Sequence, residues 1–213
     1  IASASEDGTV QIWDAATGRK ASTYRGHSGS VSTLAWSSDG KRIASAGVDS
    51  TVQVWDAANM HRICIYRNHT EKVTAVAWLP DASSTAAGQS PRIASASEDG
   101  TVQIWELPSG RRLSIYRGHT QAVHALAWSP DGQYLASAGD DMTVQVWLVS
   151  SGNTVFTNHD ATHEILALAW SPDGQYLASG GAEQVVQVRE ALTGNSVYTY
   201  RGHQFTVSAL AWS

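Results

Sequence analysis

Serine, histidine and aspartate recur together along this chain of 213 residues, and together they are the parts of a nucleophilic hydrolase. Gly-His pairs stand at Gly26-His27, Gly118-His119 and Gly202-His203. An aspartate stands six residues before a tryptophan at Asp7, Asp49, Asp99 and Asp141. An active site needs one such constellation, whereas evenly placed copies serve the array that repeats them. The pattern therefore points away from catalysis. His159, His163 and Glu164 lie close together but do not spell His-Glu-x-x-His, and a spacing of four gathers zinc ligands only on a helix. A polar loop is expected there, with no metal. The single cysteine, Cys64, excludes an internal disulfide and any Cys-x-x-Cys site. In the run Ile63-Cys64-Ile65 it reads as a small buried hydrophobe. Asn68-His69-Thr70 matches a glycosylation sequon but coincides with the Gly-His position of its unit, so the match is read as chance. No cofactor is implied.

The elements that must position these residues follow from the tryptophans. Those ending Thr-Val-Gln-Ile/Val-Trp stand at 13, 55, 105 and 147, and those ending Ala-Trp at 36, 78, 128, 170 and 212. The step is 42 residues except across 79–92, where LPDASSTAAGQSPR lengthens it to 50 and reads as a loop insertion. IASASEDGTVQIW occurs at 1–13 and again at 93–105, and ALAWSPDGQYLAS at 125–137 and 167–179. The chain is a duplicated unit. Each unit holds four short runs rich in β-branched and aromatic residues, punctuated by Asp-Gly, Ser-Gly or Asn. Four such strands make one antiparallel meander that cannot bury both its apolar faces alone, so neighbouring units must stack.

Apolar content of 42 % with 15 % charged residues suits a globular domain. No stretch approaches the roughly 18 uninterrupted apolar residues of a membrane span. The first residues lack the regions of a signal peptide, so the cytoplasm is the compartment expected by default. A net charge of −5 argues against nucleic acid, whose backbone demands clustered Lys and Arg. Here Arg25, Arg67, Arg117 and Arg201 recur singly, one per unit.

With Trp-Asp closing the third strand at Trp13-Asp14 and Trp55-Asp56, beside the Gly-His pairs and turn aspartates, the chain resembles the WD-repeat β-propeller family along essentially its whole length. Its highly self-similar repeats resemble those of the bacterial type of this family. The resemblance implies an all-β fold of four-stranded antiparallel blades, five by repeat count, in a single domain spanning 1–213. It also implies a hydrogen-bonded set in each blade: His203, Ser3, Asp7 and Trp13; His27, Ser45, Asp49 and Trp55; His69, Ser95, Asp99 and Trp105; His119, Ser137, Asp141 and Trp147. The first set joins both chain ends, so residues 207–212 are expected to supply strand one of the first blade and close the ring. Five blades are fewer than the seven most typical of the family, and an open arc or pairing with a second copy into a larger ring are the alternatives. In the fifth unit Arg189 replaces the Trp, Glu183 the Asp and Ala161 the His, with His159 two residues early, so its network is expected to be incomplete.

The resemblance implies a non-catalytic scaffold whose loop-built face binds a peptide or protein. The matching positions are Glu6, Thr206 and Ser208; Ser30 and Ser32; Lys72, Thr74 and Glu98; His124 and Asp140; Glu164 and Leu166. Their charged members are mostly acidic, so a basic partner is expected. A lectin-like sugar binder is the alternative and would use aromatic pockets at Tyr24, Tyr66, Tyr116 and Tyr200. A glycosidase needs paired carboxylates at the axis, yet the innermost strands VSTLAW, VTAVAW, VHALAW, ILALAW and VSALAW contain none. An engineered or trimmed repeat array with no native activity is a further alternative.

Overall fold

The β-prone runs settle into strands throughout the computed structural model, which describes residues 1–80 and 90–213. The first sheet comprises β1 (Ala2–Ala4), β2 (Val10–Trp13) and β3 (Lys20–Tyr24). The second comprises β4 (Val31–Trp36), β5 (Arg42–Gly47), β6 (Val52–Asp56) and β7 (Arg62–Tyr66). The third holds β8 (Val73–Trp78), β9 (Arg92–Ser97), β10 (Val102–Glu106) and β11 (Arg112–Tyr116). The fourth holds β12 (Val123–Trp128), β13 (Tyr134–Gly139), β14 (Val144–Leu148) and β15 (Thr154–Asn158). The fifth holds β16 (Ile165–Trp170), β17 (Tyr176–Gly181), β18 (Val186–Glu190) and β19 (Ser196–Tyr200). Every sheet is a sequential antiparallel meander, the all-β, blade-by-blade plan of a propeller.

The core lies between sheets. Ala44, Val52 and Val54 of the second sheet pack with Val73, Ile93 and Trp105 of the third, and like clusters join the other neighbours. Strands β5, β9 and β13 have five consecutive buried residues each because both of their faces are covered. Stacking is thus what makes each meander stable, since one small sheet cannot bury two apolar faces. A second tie crosses each boundary at the far end of the innermost strand. The Trp78, Trp128 and Trp170 indoles donate to the carbonyls of Ala35, Ala77 and Ala127 in the preceding sheet, at 3.0, 3.3 and 2.9 Å. Cys64 packs on the core between the second and third sheets, where burial pushes its thiol up.

In the pairing of the first two strands of each complete sheet, one residue is extra. The register shifts between Val31 and Thr33, Val73 and Ala75, Val123 and Ala125, and Ile165 and Ala167. Such a β-bulge re-aims the extra side chain, and those side chains are Ser32, Thr74, His124 and Leu166.

The expected blade shared between the chain ends is not formed. The first sheet has three strands, and residues 207–212 belong to no strand. They lie instead against the fifth sheet, with Val207 N–H donating to Gly181 O at 3.0 Å and the Trp212 indole to Ala169 O at 2.9 Å. These are the contacts an innermost strand makes with the sheet before it, as Val31 N–H does with Ser5 O. Each unit is positioned by its predecessor, and the pairing with β1 would be the longest-range contact in the chain. The insertion 79–92 is closed at its base by Leu79 N–H to Arg92 O, and its residues 81–89 lie outside the described residues.

The turn between strands two and three needs a left-handed residue. Gly8 and Gly100 provide it in two units, whereas Ser50, Met142 and Gln184 adopt φ of 58, 60 and 63° in the others. An L side chain there costs roughly 1–2 kcal/mol. Replacing the exposed Met142 by glycine is expected to stabilise the chain by about 1 kcal/mol, partly offset by unfolded-state entropy, and so to raise the melting temperature by about 2 °C. Thermal unfolding followed by circular dichroism checks it.

Candidate functional site

Two constellations emerge, one inside the sheets and one at the mouth of the axis. In the second sheet the turn aspartate and the loop histidine meet: His27 Nδ1 lies 2.9 Å from Asp49 Oδ2, and its Nε2 lies 2.8 Å from Ser45 Oγ. The Trp55 indole donates to the same Ser45 Oγ at 3.2 Å. His69 with Asp99 and Ser95, and His119 with Asp141 and Ser137, repeat this arrangement at 2.8 Å throughout. Nδ1–H donates to the carboxylate, and the second ring nitrogen meets the serine hydroxyl, which can donate to a neutral ring or accept from a protonated one. In these two sheets the Trp105 and Trp147 indole N–H groups have no hydrogen-bond partner, so the chain there ends at serine.

The carboxylates are further held by Thr51, Thr101 and Thr143 through backbone and hydroxyl, and by the backbone N–H following each histidine. Burial opposes ionisation of Asp141, yet the contacts with His119 and Thr143 outweigh it and leave the carboxyl lowered to about 2. The same balance lowers Asp49 and Asp99.

The first set is incomplete. Trp13 donates to Ser3 Oγ at 2.9 Å and Asp7 accepts from Thr9 N–H at 2.9 Å. His203 is exposed, and among the described residues it makes no contact with Ser3 or Asp7, because its segment stays on the fifth sheet.

A further layer was missed in the sequence. Tyr24, Tyr66 and Tyr116 stack on Trp55, Trp105 and Trp147 of the next sheet, with ring centroids 4.7, 4.9 and 4.6 Å apart. Their hydroxyls donate to Gln53, Gln103 and Gln145 at 2.8, 2.6 and 2.8 Å. The repeated Gln inside an otherwise apolar Thr-Val-Gln-Ile/Val-Trp run was the available signal. These three tyrosines are buried, which removes the aromatic pockets a lectin-like reading would use there; Tyr200 alone of the four is exposed.

At the axis, the bulged Thr74, His124 and Leu166 join Ser208 around a depression of about 280 Å³, whose wall is otherwise mainly Ala, Val and Leu. No carboxylate is among its described lining residues. Asp140 Oδ1 lies 2.7 Å from Nε2 of the lining residue His124, and Glu98 lies 3.3 Å from Lys72 Nζ. Glu6, Ser32 and Thr206 are exposed, the Ser30 carbonyl accepts from Val48 N–H, and Glu164 lines a separate cleft in the fifth sheet. The structure thus gathers Thr74, His124, Leu166 and Ser208 in one depression, and the other expected contact residues are not among its lining. Among the described residues no helix is long and apolar enough to cross a membrane.

The family model for the WD domain, G-beta repeat, matches residues 1–14, 18–56, 60–106 and 110–147. A model of the anaphase-promoting complex subunit 4 WD40 domain matches 153–213. Coronin-7 of Mus musculus is 46 % identical over 43 residues, which is 20 % of this chain and 5 % of the mouse protein. The chain therefore covers only a small part of that relative's length.

Removing His119 leaves the Asp141 carboxylate in a site with 5 % side-chain exposure and no cation or ring beside it. His119→Ala is expected to destabilise by about 3 kcal/mol, the cost of breaking a buried pair, measured by urea unfolding at pH 7. Because the Asp141 carboxyl is depressed in the folded state, its contribution is present above the unfolded carboxyl range and lost as pH falls through the folded value. The gap between wild type and His119→Ala should accordingly narrow from about pH 4 to about pH 2.

Proposed function

Because this chain belongs to the WD40 repeat family, we propose that it is a non-catalytic interaction scaffold whose loop face receives a basic peptide or protein segment over the axial depression. The observation carrying this reading is the bulge-aimed set of Thr74, His124 and Leu166 around an apolar floor, with Asp140 bonded to His124 and Glu98 paired with Lys72. Apolar floor and charged rim are the usual division of labour in a recognition surface, the floor supplying burial and the rim steering and register. The rigid stacked sheets hold the loops in fixed relation, which lowers the ordering cost of binding. Ser208 joins the inner set, and Glu6, Ser30, Ser32, Lys72 and Thr206 belong to the outer contact set of this proposal.

Self-association forms part of it. Residues 207–212 have the sequence of an innermost strand, β1 has a free edge, and Tyr198 and Tyr200 are exposed on the fifth sheet at 59 and 48 %. A second copy offering these surfaces to one another would extend the ring.

Selection from a random peptide library is expected to return Lys- or Arg-rich sequences. Glu98→Lys combined with Asp140→Lys should weaken their binding about tenfold, equal to about 1.4 kcal/mol, and reduce its salt dependence. Neutral or acidic selected peptides would refute the charge assignment. Light scattering is expected to give the mass of two chains; a mass of one chain would remove self-association from the proposal.

A further inference from the structure

The boundary between the third and fourth sheets lacks the bulk that fills its counterparts. The repeat sets Ser22, Cys64, Ser114 and Phe156 at one position of the outer strand, and Met60, Gly110, Gly152 and Gly194 at one position of the following sheet's outer turn. Where that turn has glycine, the strand residue can close the gap. A Cβ added at Gly110 would come within 3.0 Å of Cys64 Sγ, and one added at Gly194 within 3.0 Å of the Phe156 ring. In the first boundary Met60 provides the bulk, packing beside Ile12 on the core that joins the first two sheets. Ser114 and Gly152 are both small, and a Cβ at Gly152 would meet nothing within 4 Å.

The consequence is a half-enclosed cleft of about 440 Å³ between these two sheets, within the roughly 300–1,000 Å³ of small-ligand sites. The buried Ile104 and the exposed Leu113 form one wall, and Leu148 and Val149 belong to the other. Leu148 stands where the other sheets place Asp14, Asp56, Glu106 and Glu190. Asp14 and Asp56 each accept two backbone N–H groups of the turn that follows, whereas the matching N–H groups of Ser150 and Ser151 make no hydrogen bond among the described residues. The described lining thus contains no carboxylate, and it does contain Arg92. Glu106, opposite Arg92 in the strand pairing, is engaged by Arg111 Nε at 2.8 Å and by the Ser109 hydroxyl. Among the described residues the Arg92 guanidinium makes no hydrogen bond or ion pair of its own.

We propose that this cleft binds a small aryl carboxylate, a phenyl ring joined to a carboxylate by a short chain. The ring would take the place that Phe156 holds at the next boundary, against Ile104, Leu113 and Leu148, and the carboxylate would accept from Arg92. Apolar walls supply the burial, and a planar, permanently charged guanidinium matches a carboxylate better than it matches a neutral group. Ser150, on the lining, offers a further donor through its free N–H. Gly132 and Gln133 of the turn between strands one and two also line the cleft, which places it on the face opposite the axial depression. The proposal therefore does not rest on the scaffold reading above.

The test titrates 3-phenylpropanoate, 3-phenylpropanamide and propanoate into the intact chain at pH 7, following backbone amide resonances by NMR. 3-Phenylpropanoate is expected to give saturable shifts centred on residues 113–114 and 148–152. The amide lacks the charge and propanoate lacks the ring, so each should bind at least tenfold more weakly. Arg92→Met should abolish the preference for the acid over the amide while leaving the amide's own affinity unchanged, an outcome that general loss of structure would not give. Ser114→Phe supplies the ring in cis and should remove the response; if that variant does not fold, Arg92→Met carries the test alone. Acetyl-Gly-Gly-Phe presents the same ring and carboxylate at the end of a peptide, and tighter binding of it than of 3-phenylpropanoate would overturn the assignment to a small ligand. No saturable shift, or equal affinities for acid and amide, would overturn the proposal as a whole.

Discussion

The junction between neighbouring sheets is the constraint on which the rest depends. A tyrosine at the end of one outer strand stacks on the tryptophan of the next sheet and bonds its glutamine, while the loop that follows delivers a histidine to that sheet's aspartate and serine. One short stretch, Tyr116 to His119, thus bridges two sheets through an aromatic stack, a neutral hydrogen bond and a histidine–carboxylate contact. Buried carboxylates are costly unless donors satisfy them, and here the donors come from the loop itself. The chain crossing between sheets and the carboxylate in the turn each stabilise the other's position.

From that junction the loop face follows. With the aspartate held by backbone N–H groups on both sides, the turn between strands two and three and the loop before strand one are fixed together, and the bulge beside them aims Thr74, His124 and Leu166 at the axis. Rigidity at the junction becomes a preorganised surface at the mouth. The fifth sheet shows what changes when the junction is rebuilt: Arg189 and Asp160 retain the tie between sheets with an ion pair, and Ala161 stands at the repeat position of the histidine.

Much of this was legible in the chain. The 42-residue step located every four-stranded meander, and the recurring His, Ser and Asp named three junctions whose atoms lie within 2.9 Å of each other. The decay of the fifth unit at Ala161, Glu183 and Arg189 was also visible as departures from the repeat. Less legible were the tyrosine–tryptophan stacks and the glutamine beneath them, because they form between units and periodicity within one unit does not say which neighbour a side chain meets. The shared terminal blade was inferred from matching motifs, and residues 207–212 instead remain with the fifth sheet.

What the residue order determined by itself was local: strand lengths, turn positions and the identity of each hydrogen-bonded set, all consequences of side-chain preference and short-range spacing. Tertiary structure decided which faces those strands bury, where the bulged residues point and whether the two ends meet. Those outcomes turn on contacts between residues far apart in sequence, whose cost in chain entropy is set against packing only when the sheets assemble.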